Sequence, residues 1–414
     1  MQANLRSPSA QAWLLVAAAV GILAITMGSR SVFGLFISPL NSATGLGIAT
    51  ISFAVAVSQL TWGAAQPLAG LLADRYGAAR VIAAGCVLGA AAGMLIPLAG
   101  NAPVLVLLLA IVGIAATVGS PSLLVGTVST RVAPAQRGLV AGIIGAGGPL
   151  GQLLLAPATQ GVILAAGWIT AALSVAALSL LVLPLAFAFR RKPGAPAAFA
   201  QRGGATVRDA LTSRAFWLIN ATFFVCGLHV FFLITHLPGV IEACGLPPAV
   251  SGIALAVLGL FNIAGSIGAG LVIQRYSMKA TLSVLFAARA LGIAAFLVAP
   301  KTEAVVLVFS VWMGLTYMAV LPPTAGLIGK LYGTQRLATL LGVTFMLHQV
   351  GAFLGSWLGG VVFEATGSYD AMWLLDLTLA ALAAGLALTI PERGGKPAPV
   401  VSLPRAARTA GTPA

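Results

Sequence analysis

"GLLADRYGAAR", residues 70–80, lies between two long apolar runs, and 200 residues later "GLVIQRYSMKA", residues 270–280, lies between two more. The copies share Gly, Leu, Arg and Tyr in register, so the chain reads as two related halves with this polar loop after the second apolar run of each. Working outward from the loops, twelve apolar segments appear, near 12–38, 48–73, 79–99, 103–130, 136–160, 166–189, 215–241, 248–274, 279–299, 304–329, 336–363 and 369–390. Each is about 20 residues or longer, enough for a helix to cross a hydrocarbon core of roughly 30 Å. The longest polar interval, "RRKPGAPAAFAQRGGATVRDALTSR" at 190–214, is rich in Pro, Gly and basic residues and divides six segments from six. The expected organisation is a first six-helix bundle at 1–189, a linker at 190–214, a second bundle at 215–390 and a tail at 391–414.

Composition demands a lipid solvent. With 59% hydrophobic and 7% charged residues in 414 and a mean hydropathy of +1.04, one aqueous core cannot hide the apolar surface. The first run is full length, without a small-residue cleavage site after a short core, and is read as a span rather than a secretory signal. The net charge of +14 reports topology by its placement rather than a nucleic-acid partner. Of 22 Lys and Arg, only Arg30, Arg289 and Lys301 lie elsewhere than at the termini or in loops after even-numbered spans. That is the positive-inside pattern, with both termini cytoplasmic in the inner (plasma) membrane and anionic headgroups as partners. Cys86, Cys226 and Cys244 have no metal-type spacing. No metal or other cofactor is expected, and a monomer is. Nucleotide-binding and hydrolytic motifs are missing, so the chain is read as a non-enzyme coupled to ion or solute gradients.

Gly70, Asp74, Arg75, Gly77 and Arg80 resemble the loop signature of the major facilitator superfamily; Ala78 and Ala79 depart from its basic positions, and Gln274 and Ser277 depart in the second copy. The resemblance implies an all-α membrane protein with the major facilitator fold: 12 transmembrane helices in two pseudo-symmetric six-helix bundles rocking about a midplane site. "RSVFGLFISPL" at 30–40, and the stretch 120–152 containing Arg137, Gly138 and a glycine-rich fifth helix, are similar to the monocarboxylate and oxalate:formate porter group. That group often carries a carboxylate-binding Arg in the eighth span, where "LFNIAGSIGAGL" at 260–271 offers only Asn262 and Ser266. The function implied is secondary transport of a small organic anion, a monocarboxylate, with proton symport or anion exchange. An exporter of neutral or amphipathic compounds is the alternative, and a membrane sensor on the same fold a third.

Arg30 is a permanent cation within an apolar run. Offsetting the halves by 199 places it on His229, as it places Pro39 on Pro238 and Arg137 on Arg336. Because the first, fourth, seventh and tenth helices of the superfamily line a central cavity, Arg30 and His229 are expected to face each other across it. Snorkelling toward the interface is the other reading of Arg30, and a bundle hydrogen bond that of His229. His348, Tyr317, Asn262 and Gln59 complete the substrate-binding candidates, and if protons move with the anion, His229 or His348 is the expected carrier. Asp74, with Arg75 beside it, is expected to pair with Arg131, Arg137 or Arg336 when the cytoplasmic side closes, or else to be a solvated topology marker. Arg289 and Asp376 are expected to form a structural pair, since a lone charge in the bilayer is costly. Apart from Asp376, all acids fall at helix ends, in loops or in the tail, which disfavours a cation substrate.

Overall fold

A computed structural model describes residues 10–133, 136–190, 207–333 and 337–392. Most of the 190–214 linker and of the 391–414 tail therefore lies outside the described residues. Among those described there is no strand. Eleven helices are long and apolar enough to cross a membrane, and the longest, Arg137–Phe189, contributes two crossings. It breaks at Gly167, whose φ of 83° only glycine adopts freely. The chain reverses there: a Cβ on Gly147 would lie 2.8 Å from the Val20 carbonyl, and one on Gly21 3.0 Å from Leu185, so residues 147 and 185 stand at one level of span 1. Gly367, 200 residues on with φ 71°, makes the same turn between spans 11 and 12.

Twelve crossings result, as the sequence indicated. Span 1 (Ala10–Ser31) continues through a 3-10 turn (Phe33–Phe36) into a short helix (Ile37–Thr44). Spans 2 (Ile48–Tyr76), 3 (Ala78–Leu95), 7 (Arg214–Ala243), 8 (Ala249–Val272), 9 (Met278–Val298), 11 (Leu337–Thr366) and 12 (Asp370–Leu388) are single helices. Spans 4 and 10 are each broken, 4 into Ala102–Ala116 and Pro121–Ser129, 10 into Glu303–Thr316 and Leu321–Tyr332. Both breaks precede prolines, Pro121 in one half and Pro322 with Pro323 in the other, which remove N–H donors and crowd the carbonyls four residues back. The matching breaks are the structural counterpart of the repeated loop.

Lipid tails give apolar side chains no reason to prefer each other, so close backbone approach holds the helices together. Gly28 and Gly151 bring spans 1 and 5 into contact, and Gly227, Gly351 and Gly355 bring span 7 against span 11. A Cβ on Gly355 would come within 3.0 Å of the Leu228 carbonyl, which cannot swing aside as a side chain could. Gly355→Ala is expected to destabilise the fold by about 1–3 kcal/mol, as overpacking does. Gly385→Ala, where a Cβ meets nothing within 4 Å, is the control. Equal thermal midpoints for the two variants in detergent would remove backbone contact as the source of stability.

The halves meet along span 2 with span 11 and span 5 with span 8. Phe53 packs edge-on against Phe353 and Trp357, and Gln152 Nε2 donates to the Leu255 carbonyl at 3.1 Å. The seam is tightest at the edge away from the termini. There Ser38 donates to Glu242 at 2.9 Å, the Ala49 N–H donates to Glu364 at 2.8 Å, and Gly34 lies on the carbonyls of Ile234 and Thr235. Toward the termini span 2 loses its cover, with Leu68 and Leu71 exposed. This conformation is closed at the distal edge and splayed at the edge bearing the termini.

Candidate functional site

Span 3 presents Gly85, Gly89 and Gly93 at intervals of four residues, and hence on one face. These glycines admit spans 4 and 6 closely, at Val118, Ala115 and Ala176, and beside them lies a cavity of about 130 Å³ inside the first bundle, walled by spans 1, 2, 3, 4 and 6. Ser29, Arg30 and Gln59 are among its few polar groups. Arg30, half-buried in the last turn of span 1, donates from Nη2 to Gln59 Oε1 and lies 4.7 Å above the Trp62 ring centroid. The ring face attracts the guanidinium by about 0.5–2 kcal/mol and fixes its plane. Among the described residues no carboxylate pairs with Arg30, and none lines the cavity. Ser29 Oγ is buried with no protein partner. The site therefore holds a fixed positive charge and unfilled hydrogen-bonding capacity, with no negative charge of its own.

The second half fills the matching space with charge. Arg289 stands 200 residues after Gly89 and Asp376 200 after Ala176, both of which line the cavity of the first half. Arg289 and Asp376 are both 0% exposed. The expected Arg289–Asp376 pair is not the contact formed: the side chain that approaches Asp376 is the His229 imidazole, with Nδ1 2.6 Å from Oδ2. Arg289 instead donates from Nη2 to the carbonyls of Thr316 and Tyr317. These carbonyls are freed by the break in span 10, and a cation at a helix C-terminus both satisfies them and meets the negative end of the dipole.

The expected meeting of Arg30 and His229 across a central space is likewise not seen. Each turns into its own bundle, Arg30 to Gln59 and Trp62 on span 2, His229 to Asp376 on span 12. An internal repeat equates positions, whereas side-chain direction follows the nearest partner, and those partners are not repeated.

The remaining candidates take structural places in this conformation. Asn262 Oδ1 accepts from the Met318 N–H at 3.2 Å and from Ser266 at 3.3 Å, bracing the span 10 break from the other side. Tyr317 is at that break, and its hydroxyl donates to the Val230 carbonyl at 3.4 Å. His348 packs on Phe223 with ring centroids 4.6 Å apart, and its Nδ1 lies 3.2 Å from Gln349 Nε2. His236 places Nε2 2.7 Å from the Ser356 carbonyl. Asp74 is exposed at the splayed edge, where Arg75 lies over Tyr76. Arg131 donates to the carbonyls of Ala188, Phe189 and Arg190, Arg137 is exposed, and Arg336 lies outside the described residues. In the second copy Ser277, replacing glycine, caps span 9 and bonds Glu392, which also faces Lys330 at 3.5 Å. Partial burial alone would raise the Glu392 pKa, but the Ser277 and Met278 donors and the Lys330 charge hold it below the ordinary carboxylate range.

Glu242 and Glu364, read from sequence only as helix-end acids, are the residues of the distal seam. Glu364 bonds an N–H in the first turn of span 2, where the helix dipole favours an anion. A helix start after "GLG" at 45–47 was the available signal, but its partner 315 residues away was not readable.

The sequence profile of the Major Facilitator Superfamily matches residues 19–356. The chain is 26% identical to Monocarboxylate transporter 13 of Rattus norvegicus over 92% of its own length and 89% of the relative's. It is 24% identical to the Oxalate:formate antiporter of Oxalobacter formigenes over 93% of each. Among solved structures it superposes on a bacterial homolog of the human lysosomal transporter Spinster, in its inward-facing and occupied conformation, with a TM-score of 0.72. That match has 14% identity and covers 93% of this chain and 95% of the other. With twelve crossings, a repeated polar loop and this profile across most of its length, the chain is a multi-pass membrane transporter, not an enzyme, and belongs to the Major Facilitator Superfamily.

Proposed function

We propose that the protein is a secondary transporter of small organic anions, monocarboxylates in particular, and that Arg30 binds the substrate carboxylate in the cavity of the first bundle. The observation that carries this reading is a guanidinium facing an otherwise apolar cavity with no protein counter-charge. A carboxylate entering there loses water, and the planar fork of an Arg replaces that solvation with parallel charged hydrogen bonds. Size narrows the class further. An apolar cavity of roughly 150 Å³ holds one benzene-sized molecule, and drug-sized ligands need about 300 Å³ or more. A space of about 130 Å³ suits an acid of a few carbons. Relatives named for monocarboxylates and for oxalate and formate support the same class. The distribution of basic loops supports placement in the plasma (inner) membrane with both termini cytoplasmic.

Counterflow of labelled acids in proteoliposomes, graded in size from formate to an aromatic carboxylate, is the test. Small carboxylates are expected to exchange and the largest to fail. If no carboxylate exchanges, the anion reading falls and export of neutral compounds takes its place.

A further inference from the structure

Building on the carboxylate reading of the Arg30 cavity, we infer that Gln349 is the residue through which the second half senses cargo: a carboxylate on Arg30 releases the Gln59 side chain, whose amide then donates to Gln349 Oε1 across the seam. Spans 2 and 11 run antiparallel, with Gly360 against Ser52, Phe353 and Trp357 against Phe53, and Gln349 against Gly63. Ser52, Gln59 and Gly63, spaced by seven and then four residues, share the face of span 2 that meets span 11. This register sets Gln349 at the turn from Gln59 to Gly63, and a Cβ on Gly63 would lie 2.7 Å from Gln349 Cγ. Gln59 and Gln349 are 3% and 1% exposed, so amides from opposite halves are buried at one level of the seam.

The two amides differ in what they lack. Gln59 Oε1 accepts from Arg30 Nη2. Gln349 Nε2 lies 3.2 Å from His348 Nδ1, while Gln349 Oε1 is buried without a partner. A buried carbonyl oxygen without a donor is a standing cost, relieved by any N–H that can reach it. Gln59 carries two such N–H groups, but its own oxygen is tied to the guanidinium. A carboxylate entering the cavity competes for that guanidinium with a full negative charge, and the charged acceptor forms the stronger bond. Gln59 is then free to turn, and Gln349 Oε1 is the unfilled acceptor at its level of the seam.

The new bond forms where the seam begins to part. Leu68 and Leu71, a few residues beyond Gly63 toward the termini, are already exposed. A tie between residues 59 and 349 therefore draws spans 2 and 11 together on the splayed side. Cargo on Arg30 favours closure of the edge bearing the termini, and an empty site, which leaves Gln59 on Arg30, does not. Arg30 recognises the charge. Gln59 and Gln349 are positioning residues that pass its occupancy to the opposite half, a differential contact of the kind a ligand needs in order to shift a conformational equilibrium.

Spin labels at Leu72→Cys and Gly342→Cys, exposed positions of spans 2 and 11 toward the termini, report the width of that edge in full-length protein with Cys244 replaced by Ser. Saturating acetate, an acid of a size the cavity admits, is expected to shorten the distance in the otherwise wild-type chain. Gln349→Met keeps the length of the side chain and removes the amide. It is expected to bind acetate within about threefold of the parent affinity, while the acetate-driven shift in populations falls about tenfold, as for the loss of one buried hydrogen bond. Gln59→Met is expected to lose the same response, and the double variant to lose no more than either single one, because all three lack one bond. Loosened packing gives no such non-additivity. An acetate response that survives in Gln349→Met, or losses that add in the double variant, overturns the relay, and acetate binding to the wild-type chain then leaves the carboxylate reading in place. Acetate that fails to bind the wild-type chain overturns that reading and the relay with it.

Discussion

Arg30→Gln is expected to weaken carboxylate binding and uptake by about thirtyfold or more. A buried, hydrogen-bonded charge pair that loses one partner costs about 2–5 kcal/mol, and each 1.4 kcal/mol is a factor of ten. Gln approximates part of the side-chain length and retains donors toward Gln59, so the change isolates the charge. Arg30→Lys keeps the charge, surrenders the fork and the flat face over Trp62, and is expected to retain residual transport at weaker affinity. Equilibrium binding beside initial rates separates affinity from turnover. If the Gln variant binds and moves carboxylates like the parent, Arg30 is a packing cation that snorkels along Trp62, and the anion site lies elsewhere.

What could be read from the chain divides along a physical line. Spans, their count and the two halves were legible because lipid imposes length and hydrophobicity on every crossing, and the repeat at 70–80 and 270–280 fixed the symmetry. Arg30 was legible as a candidate because a permanent charge in an apolar run is rare. Its direction was not. The cavity lies beside Gly85, Gly89 and Gly93, which admit spans 4 and 6 closely, and a glycine stripe in sequence does not say which neighbours it admits or what space remains between them. Asp376 was correctly singled out as a buried acid but given to Arg289. The break in span 10 supplies Arg289 with two carbonyl partners, and proline pairs do not announce which side chain will cap the ends they free.

The distal seam yields the second large effect. Gly34 lies in the 3-10 turn after span 1 and packs against span 7 of the opposite half, where a Cβ would stand 2.7 Å from the Thr235 carbonyl and nearer still to that of Ile234. Those atoms belong to helix backbone, so a methyl group can be accommodated only by parting the halves. The contact exists in the distally closed state and is relieved when that edge opens, so Gly34→Ala acts on the difference between the two. An overpacking cost of about 1–3 kcal/mol confined to one state shifts the populations roughly 5- to 150-fold toward the distally open form. Spin labels at Ser42→Cys and Ala365→Cys, exposed positions in opposite halves beside the Ala49–Glu364 bond, report the separation directly. Buried Cys86 and Cys226 can remain, and Cys244, half-buried near the same edge, is replaced by Ser. Longer distances at the distal edge are expected in Gly34→Ala, together with slower exchange, because a transporter that closes one side reluctantly completes fewer cycles. Gly142→Ala, where a Cβ meets nothing within 4 Å, is expected to leave the distances where they were. An unchanged distance distribution in Gly34→Ala would mean that the seam yields locally, and that the energy of closure resides in the carboxylate contacts of Glu242 and Glu364 rather than in the fit of span 1 on span 7.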